Sequence, residues 1–128
     1  MNVNQKGVLG LIKVIEDLSK SGYYVFTAFD DHSPVDVIAM SPEGKTVRLQ
    51  IKYRERNPRL SLSEERYSLE ATTIVNGKRR KIDRTLIDGW AVYMANRNEV
   101  IYIPVTAMGT KNMLSVNPKT DYGRLGEW

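Results

Sequence analysis

Residues 34–53 read Pro-Val-Asp-Val-Ile-Ala-Met-Ser-Pro-Glu-Gly-Lys-Thr-Val-Arg-Leu-Gln-Ile-Lys-Tyr. Two apolar, β-branched runs flank Pro42-Glu43-Gly44, and a glycine there supplies the positive φ that closes a three-residue hairpin loop. With Ser41 facing Lys45 across the turn, Asp36 falls opposite Gln50, about 5 Å away at Cβ. A hairpin this apolar needs a sheet to join and a layer to cover it.

Strand alternation sorts its side chains into two faces. Val35, Val37, Ala39, Val47, Leu49, Ile51 and Tyr53 share the face expected in the core, and Asp36, Gln50 and Lys52 share the other with Ile38, Met40 and Arg48. A carboxylate, an amide oxygen and an ammonium thus converge at one end of the hairpin. Two oxygens at that separation suit a hard divalent cation such as Mg²⁺, with the Ile51 carbonyl as a third ligand. Lys52, on the diagonal, is placed to orient or deprotonate an attacking water or to stabilise charge developing on a phosphate. The same residue types also make an ordinary solvated ion pair, and spacing alone does not separate the two.

The other elements follow from periodicity. Residues 5–21 read as a helix capped by Asn4 and ended by Gly22, with Val8, Leu11, Ile12, Ile15 and Leu18 as the stripe that packs on the sheet. Tyr23 to Phe29 is a strand beside the hairpin. Arg54 to Arg59 is a basic loop broken by Pro58. Tyr67–Val75 and Arg79–Ile82 flank Asn76-Gly77-Lys78, a strong hairpin signal, and put Lys78, Arg79, Arg80 and Lys81 on a projecting ribbon of the kind that enters a nucleic-acid groove. Asp83 to Asp88 reads as a short helix, Trp90–Ala95 and Val100–Val105 as two sheet strands, and Met113–Val116 as a final short strand. Both tryptophans have the aliphatic neighbours of core residues.

Composition limits the chemistry. The 128 residues have 41% hydrophobic content, which fits a single domain spanning 1–128 that buries roughly two-thirds of its unfolded surface. A net charge of +4 fits an anionic partner. The absence of cysteine excludes disulfides and thiolate metal sites, and the lone His32 excludes a two-histidine zinc motif. No apolar run is long enough to span a membrane and no signal-peptide pattern opens the chain, so a cytoplasmic protein is expected.

Pro34-x-Asp36 on one strand followed by Gln50-x-Lys52 on the next resembles the PD-(D/E)xK nuclease superfamily, in the branch where glutamine replaces the second acid. That branch includes a group I intron homing endonuclease type and Holliday-junction-resolvase-like proteins. Lys6-Gly7, Ser21-Gly22-Tyr23, Ala91-Val92-Tyr93 and Ile101–Val105 extend the resemblance through most of the chain. It implies an α/β (α+β) restriction-endonuclease-like core: an N-terminal helix on a mixed sheet of four or five strands, the motif hairpin internal, and a basic hairpin inserted before the last two strands. It implies Mg²⁺ or Mn²⁺ held by Asp36, Gln50 and the Ile51 carbonyl, with Lys52 catalytic. DNA would be held by Arg54, Arg56, Arg59, Lys78, Arg79, Arg80, Lys81 and Arg84, in a homo-oligomer, dimer or tetramer, that cuts both strands.

Relatives carry a helix glutamate where this chain has Leu11. Glu16 cannot replace it, since five residues rotate it about 140° around the helix. Asp30 and Asp31 are the nearest other acids, although an Asp pair also simply shapes a loop. The expected function is a metal-dependent DNA endonuclease, nucleoid-associated or encoded by a mobile element or phage. The alternative is a weakened or inactive DNA-binding module on the same frame.

Overall fold

The computed structural model describes residues 1–30, 32–56, 58–59, 61 and 65–128. In chain order the elements are α1 (Val3–Lys20), β1 (Tyr24–Thr27), β2 (Val37–Met40), β3 (Thr46–Arg54), β4 (Tyr67–Glu70), β5 (Thr72–Val75), β6 (Lys78–Lys81), β7 (Gly89–Met94), β8 (Glu99–Pro104), α2 (Val105–Met108) and β9 (Met113–Val116). The main sheet has five strands in the order β1-β2-β3-β7-β8, antiparallel except for the parallel β3–β7 pair. β4 pairs with β9 and β5 with β6 as two separate ribbons. This is the restriction-endonuclease-like α+β core, with the motif hairpin internal.

Both sheet faces are covered. Val37, Ala39, Val47, Leu49 and Ala91 pack beneath Val14 and Leu18 of α1. On the other face Trp90, Val92, Met94 and Ile103 pack under Tyr67, Leu69 and Val116 of the β4–β9 ribbon. Every residue of β7 is buried, as a strand parallel to its neighbour and covered on both faces must be, hence its continuous apolar run. Arg48 ties β7 to β3: its guanidinium and backbone N–H donate to the Asp88 carboxylate, the latter at 2.7 Å. This lock at the mouth of the parallel pair is half-exposed and contributes about 1 kcal/mol or less.

Turn chemistry behaves as local rules require. Gly44 sits at φ 89° with Ser41 N–H donating to the Lys45 carbonyl, and the ladder runs from Met40–Thr46 to Val37–Leu49. Asn76 and Gly77 take φ 51° and 75°, the paired positive angles that match a ribbon's twist.

Long-range packing changes several sequence expectations. α1 is capped by Asn2, not Asn4, through a reciprocal box with Gln5. Its buried stripe is Gly10, Val14 and Leu18, while Val8 and Ile12 are more than half exposed. The helix is rolled so that Gly10 faces Ile51 and Tyr53 of β3. Val35 leaves the α1 side and packs on the opposite cluster. Tyr67–Val75 is not one strand: it breaks at Ala71, whose N–H donates to the Asn112 carbonyl, so β4 pairs with the tail and β5 with the ribbon. Asp83 to Asp88 forms no helix but a single turn closed by Asp83 on Thr85.

Candidate active site

The β2–β3 ladder stops at Val37–Leu49, one rung before the Asp36–Gln50 pair that the turn implies. Asp36 bends out of register, its N–H donating to the Leu49 carbonyl at 2.9 Å. Its side chain then reaches across the strand ends, where Oδ2 accepts the Ile51 backbone N–H at 2.6 Å. A bond to a carboxylate is worth about 1.5–3 kcal/mol, enough to hold the group in one rotamer. Burial raises the Asp36 pKa, opposed by the Ile51 N–H and the Lys52 charge. Among the described residues no donor is paired with Oδ1.

Asp36 lines a cleft of about 370 Å³ with Gly7 and Leu11 of α1, Thr27, Ala28, Asp30, Ile51 and Tyr53. Leu11 therefore stands across the same cavity as Asp36, the place from which a helix carboxylate would reach it. Asp30 shares the cleft, but its Oδ1 also accepts the His32 N–H at 2.7 Å, the loop-shaping role. Asp31 lies outside the described residues. No group of three acids or histidines able to hold a metal occurs among the described residues.

Gln50 and Lys52 lie beside the cleft rather than in it. Gln50 is 6% exposed and its Oε1 accepts the Trp90 indole N–H at 3.1 Å. That bond fixes which amide atom is the oxygen and leaves it one lone pair. Lys52 Nζ donates to the Thr72 carbonyl at 2.8 Å. Burial, then the Arg54 charge, bring its pKa down to about 8 against the opposing pull of Glu70 and Asp36. The sheet face that carries Gln50 and Lys52 is thus roofed by β4 and the root of β5. The donor set, one carboxylate, one buried amide oxygen and the Ile51 carbonyl, is of the kind that takes a hard cation, held weakly because it brings a single negative charge.

The cationic residues divide. Arg54 donates to the Ser68 and Tyr53 carbonyls and pairs with Glu70 at 2.8 Å. Arg84 donates to the carbonyls of Gly109 and Lys111. Both guanidiniums brace the fold through these bonds, and sequence adjacency to Lys52 or to a basic run did not reveal their partners. Arg56 lies beside Asn96, whose Oδ1 accepts its N–H, and Arg59 is exposed in the loop after β3. Lys78, Arg79, Arg80 and Lys81 are all exposed along β6. Thr72, at the foot of that ribbon, is a residue that the sequence offered no reason to single out, because its role lies in a backbone oxygen.

Motif, strand order and cleft define a nuclease frame. The PD-(D/E)XK endonuclease family model matches residues 1–122, and the chain belongs to that family. Its fold is similar to that of a bacterial homing endonuclease, I-Ssp6803I, with a TM-score of 0.73 at 14% sequence identity over 99% of this chain and 87% of that one. No curated protein matches the sequence. No helix among the described residues is long and apolar enough to cross a membrane.

Proposed function

We propose that this chain is a divalent-metal-dependent DNA endonuclease whose site is built from Asp36, Gln50, Ile51 and Lys52. The observation that carries the reading is the Asp36 carboxylate, pinned by the Ile51 N–H at 2.6 Å at the wall of a cleft. Asp36 Oδ1, Gln50 Oε1 and the Ile51 carbonyl would hold Mg²⁺ or Mn²⁺. Such an ion, when bound, supplies Lewis-acid stabilisation of the negative charge that builds on the phosphate. Asp36 cannot change rotamer without breaking its backbone bond, so the phosphate meets a fixed carboxylate. Lys52 takes the proton from the attacking water: with a pKa of about 8, an appreciable fraction is neutral at physiological pH, and a neutral amine still donates one N–H to the Thr72 carbonyl. Lys78, Arg79, Arg80 and Lys81, with Arg56 and Arg59 in the loop after β3, contact the DNA. One chain presents one such cleft, so cutting both strands takes a homo-oligomer of at least two copies.

The second reading, a DNA-binding module that does not cut, is favoured by Leu11, which puts an alkyl group where a second acid would sit. Cleavage of supercoiled plasmid and of a synthetic four-way junction with Mg²⁺ or Mn²⁺, for this chain, Asp36→Ala and Leu11→Glu, separates the two. Cutting that disappears in Asp36→Ala is the expected result, and the DNA cut chooses between duplex-directed and junction-directed roles. Tight binding with no cutting by any variant would establish the module instead.

A further inference from the structure

The β5–β6 ribbon stands apart from both cores. Its strands pair only with each other, and no residue of β6 is buried. Its root is nevertheless fixed at two points: the Ile82 N–H donates to the Ala71 carbonyl at 3.0 Å, and Lys52 Nζ holds the Thr72 carbonyl at 2.8 Å. The pairing gives the ribbon two chemically different faces. Thr73, Val75, Lys78 and Arg80 form one; Thr72, Ile74, Arg79 and Lys81 form the other, with Ile74 directly across from Arg79. Arg79 and Ile74 share their face with Thr72, the residue whose backbone carbonyl Lys52 holds. On that face Ile74 is 71% exposed, an aliphatic group held beside a guanidinium with no core beneath it.

A clamp that only neutralised phosphates would need cations alone. A major groove about 12 Å wide admits a two-stranded ribbon, and there guanine offers two acceptors to an arginine fork while thymine offers a methyl group to an apolar side chain. We propose that the Ile74–Arg79 face reads base edges in the major groove of duplex DNA, Arg79 on a guanine and Ile74 on the methyl of an adjacent thymine. A-form RNA closes its major groove to side chains, so a reader of this shape selects B-form duplex. Because the ribbon's foot is bonded to Lys52, the bases read lie at a fixed offset from the phosphate cut, Ile74 standing about 7 Å along the strand from Thr72. Arg80, on the opposite face, is left to the phosphate backbone.

The inference deepens the nuclease reading but is tested by binding alone. Duplexes with a random central segment are selected against the full chain in EDTA, so that no cleavage enters. The expected result is an enriched motif containing a guanine beside a thymine. Arg79→Gln and Ile74→Ser then flatten those positions with less than about threefold loss on unselected duplex, while Arg80→Gln weakens all sequences alike and lowers the salt slope. In the selected motif, 7-deazaguanine in place of the guanine lowers affinity about tenfold for the parent chain and does nothing further for Arg79→Gln. Deoxyuridine in place of the thymine does the same with Ile74→Ser. All these side chains are exposed, so unfolding temperatures should not move. The proposal is overturned if the chain binds random duplex without enriching any motif, if Arg79→Gln weakens every sequence equally, or if duplex RNA binds as well as DNA. Failure of the nuclease reading looks different: the motif is bound, and Asp36→Ala changes nothing in plasmid cleavage.

Discussion

The β2–β3 hairpin and the β5–β6 ribbon are both antiparallel pairs closed by a positive-φ turn, yet their surroundings are opposite. The hairpin is wedged between α1 and the β4–β9 cover, and its polar groups are immobilised: Asp36 on the Ile51 N–H, Gln50 on the Trp90 indole, Lys52 on the Thr72 carbonyl. Among the described residues nothing buries β6, and its cations are exposed. Chemistry on a phosphate needs groups that do not reorganise and an environment that shifts their pKa values, and burial provides both. Recognition needs surface that DNA can reach. The two regions meet at the Lys52–Thr72 bond, where the cost of burying an amine on the sheet side is set against a carbonyl from the ribbon side.

The contrast is broken most severely at Asp36. Asp36→Asn should lower cleavage by on the order of a thousandfold or more while leaving duplex affinity within about threefold, since the proposed DNA-contact surface is the ribbon; single-turnover rates and filter binding check this. Equal losses in both would erase the division of labour.

Lys52 sharpens it from the other side. Cleavage should rise about tenfold per pH unit and level off above about 8, as the amine loses its proton. Lys52→Arg should be as inactive as Lys52→Met, because a guanidinium cannot accept the proton; rescue by arginine would reassign Lys52 to charge stabilisation. The folded-state value lies below the 10.5 of a solvated lysine, so at pH below about 8 the buried charge costs stability, and that cost shrinks as pH rises toward 10.5. Lys52→Met should therefore stabilise the fold by about 1–3 kcal/mol at pH 7 and less at pH 10, read from urea unfolding.

Leu11→Glu should tighten Mn²⁺ binding about tenfold by adding a second negative charge to the cleft, measured by calorimetry as well as by cleavage. Lys78→Gln with Arg80→Gln gives the smallest effect. Affinity for all duplexes should fall several-fold and the salt slope by about one for each phosphate left without its cation, with the rate on bound DNA unchanged.

Much of the fold was legible because it rests on local rules. Gly44 and Asn76-Gly77 close their turns wherever the strands go, Gly22 ends α1 at φ 89°, and the apolar runs of β7 and β8 announce a covered sheet. Asp36, Gln50 and Lys52 were singled out by their spacing and the resemblance it carries. Helix roll was not, since Gly10 gives no signal in an apolar pattern, yet it lies on the buried stripe of α1 over Ile51 and Tyr53 of β3. Nor were the braces formed by Arg54 and Arg84, whose acceptors are backbone oxygens contributed by β3, β4 and the chain after α2.

By itself the sequence determined which residues turn, which alternate and which chemical groups the hairpin can offer, because those properties depend on neighbours one to four positions away. Only the tertiary structure decided that the ladder stops short of Asp36, that Leu11 shares its cleft, and that Lys52 is roofed over and bonded to the foot of the ribbon. Those outcomes depend on burial and on acceptors from distant segments, where small differences in packing free energy choose among arrangements that local propensity leaves equal.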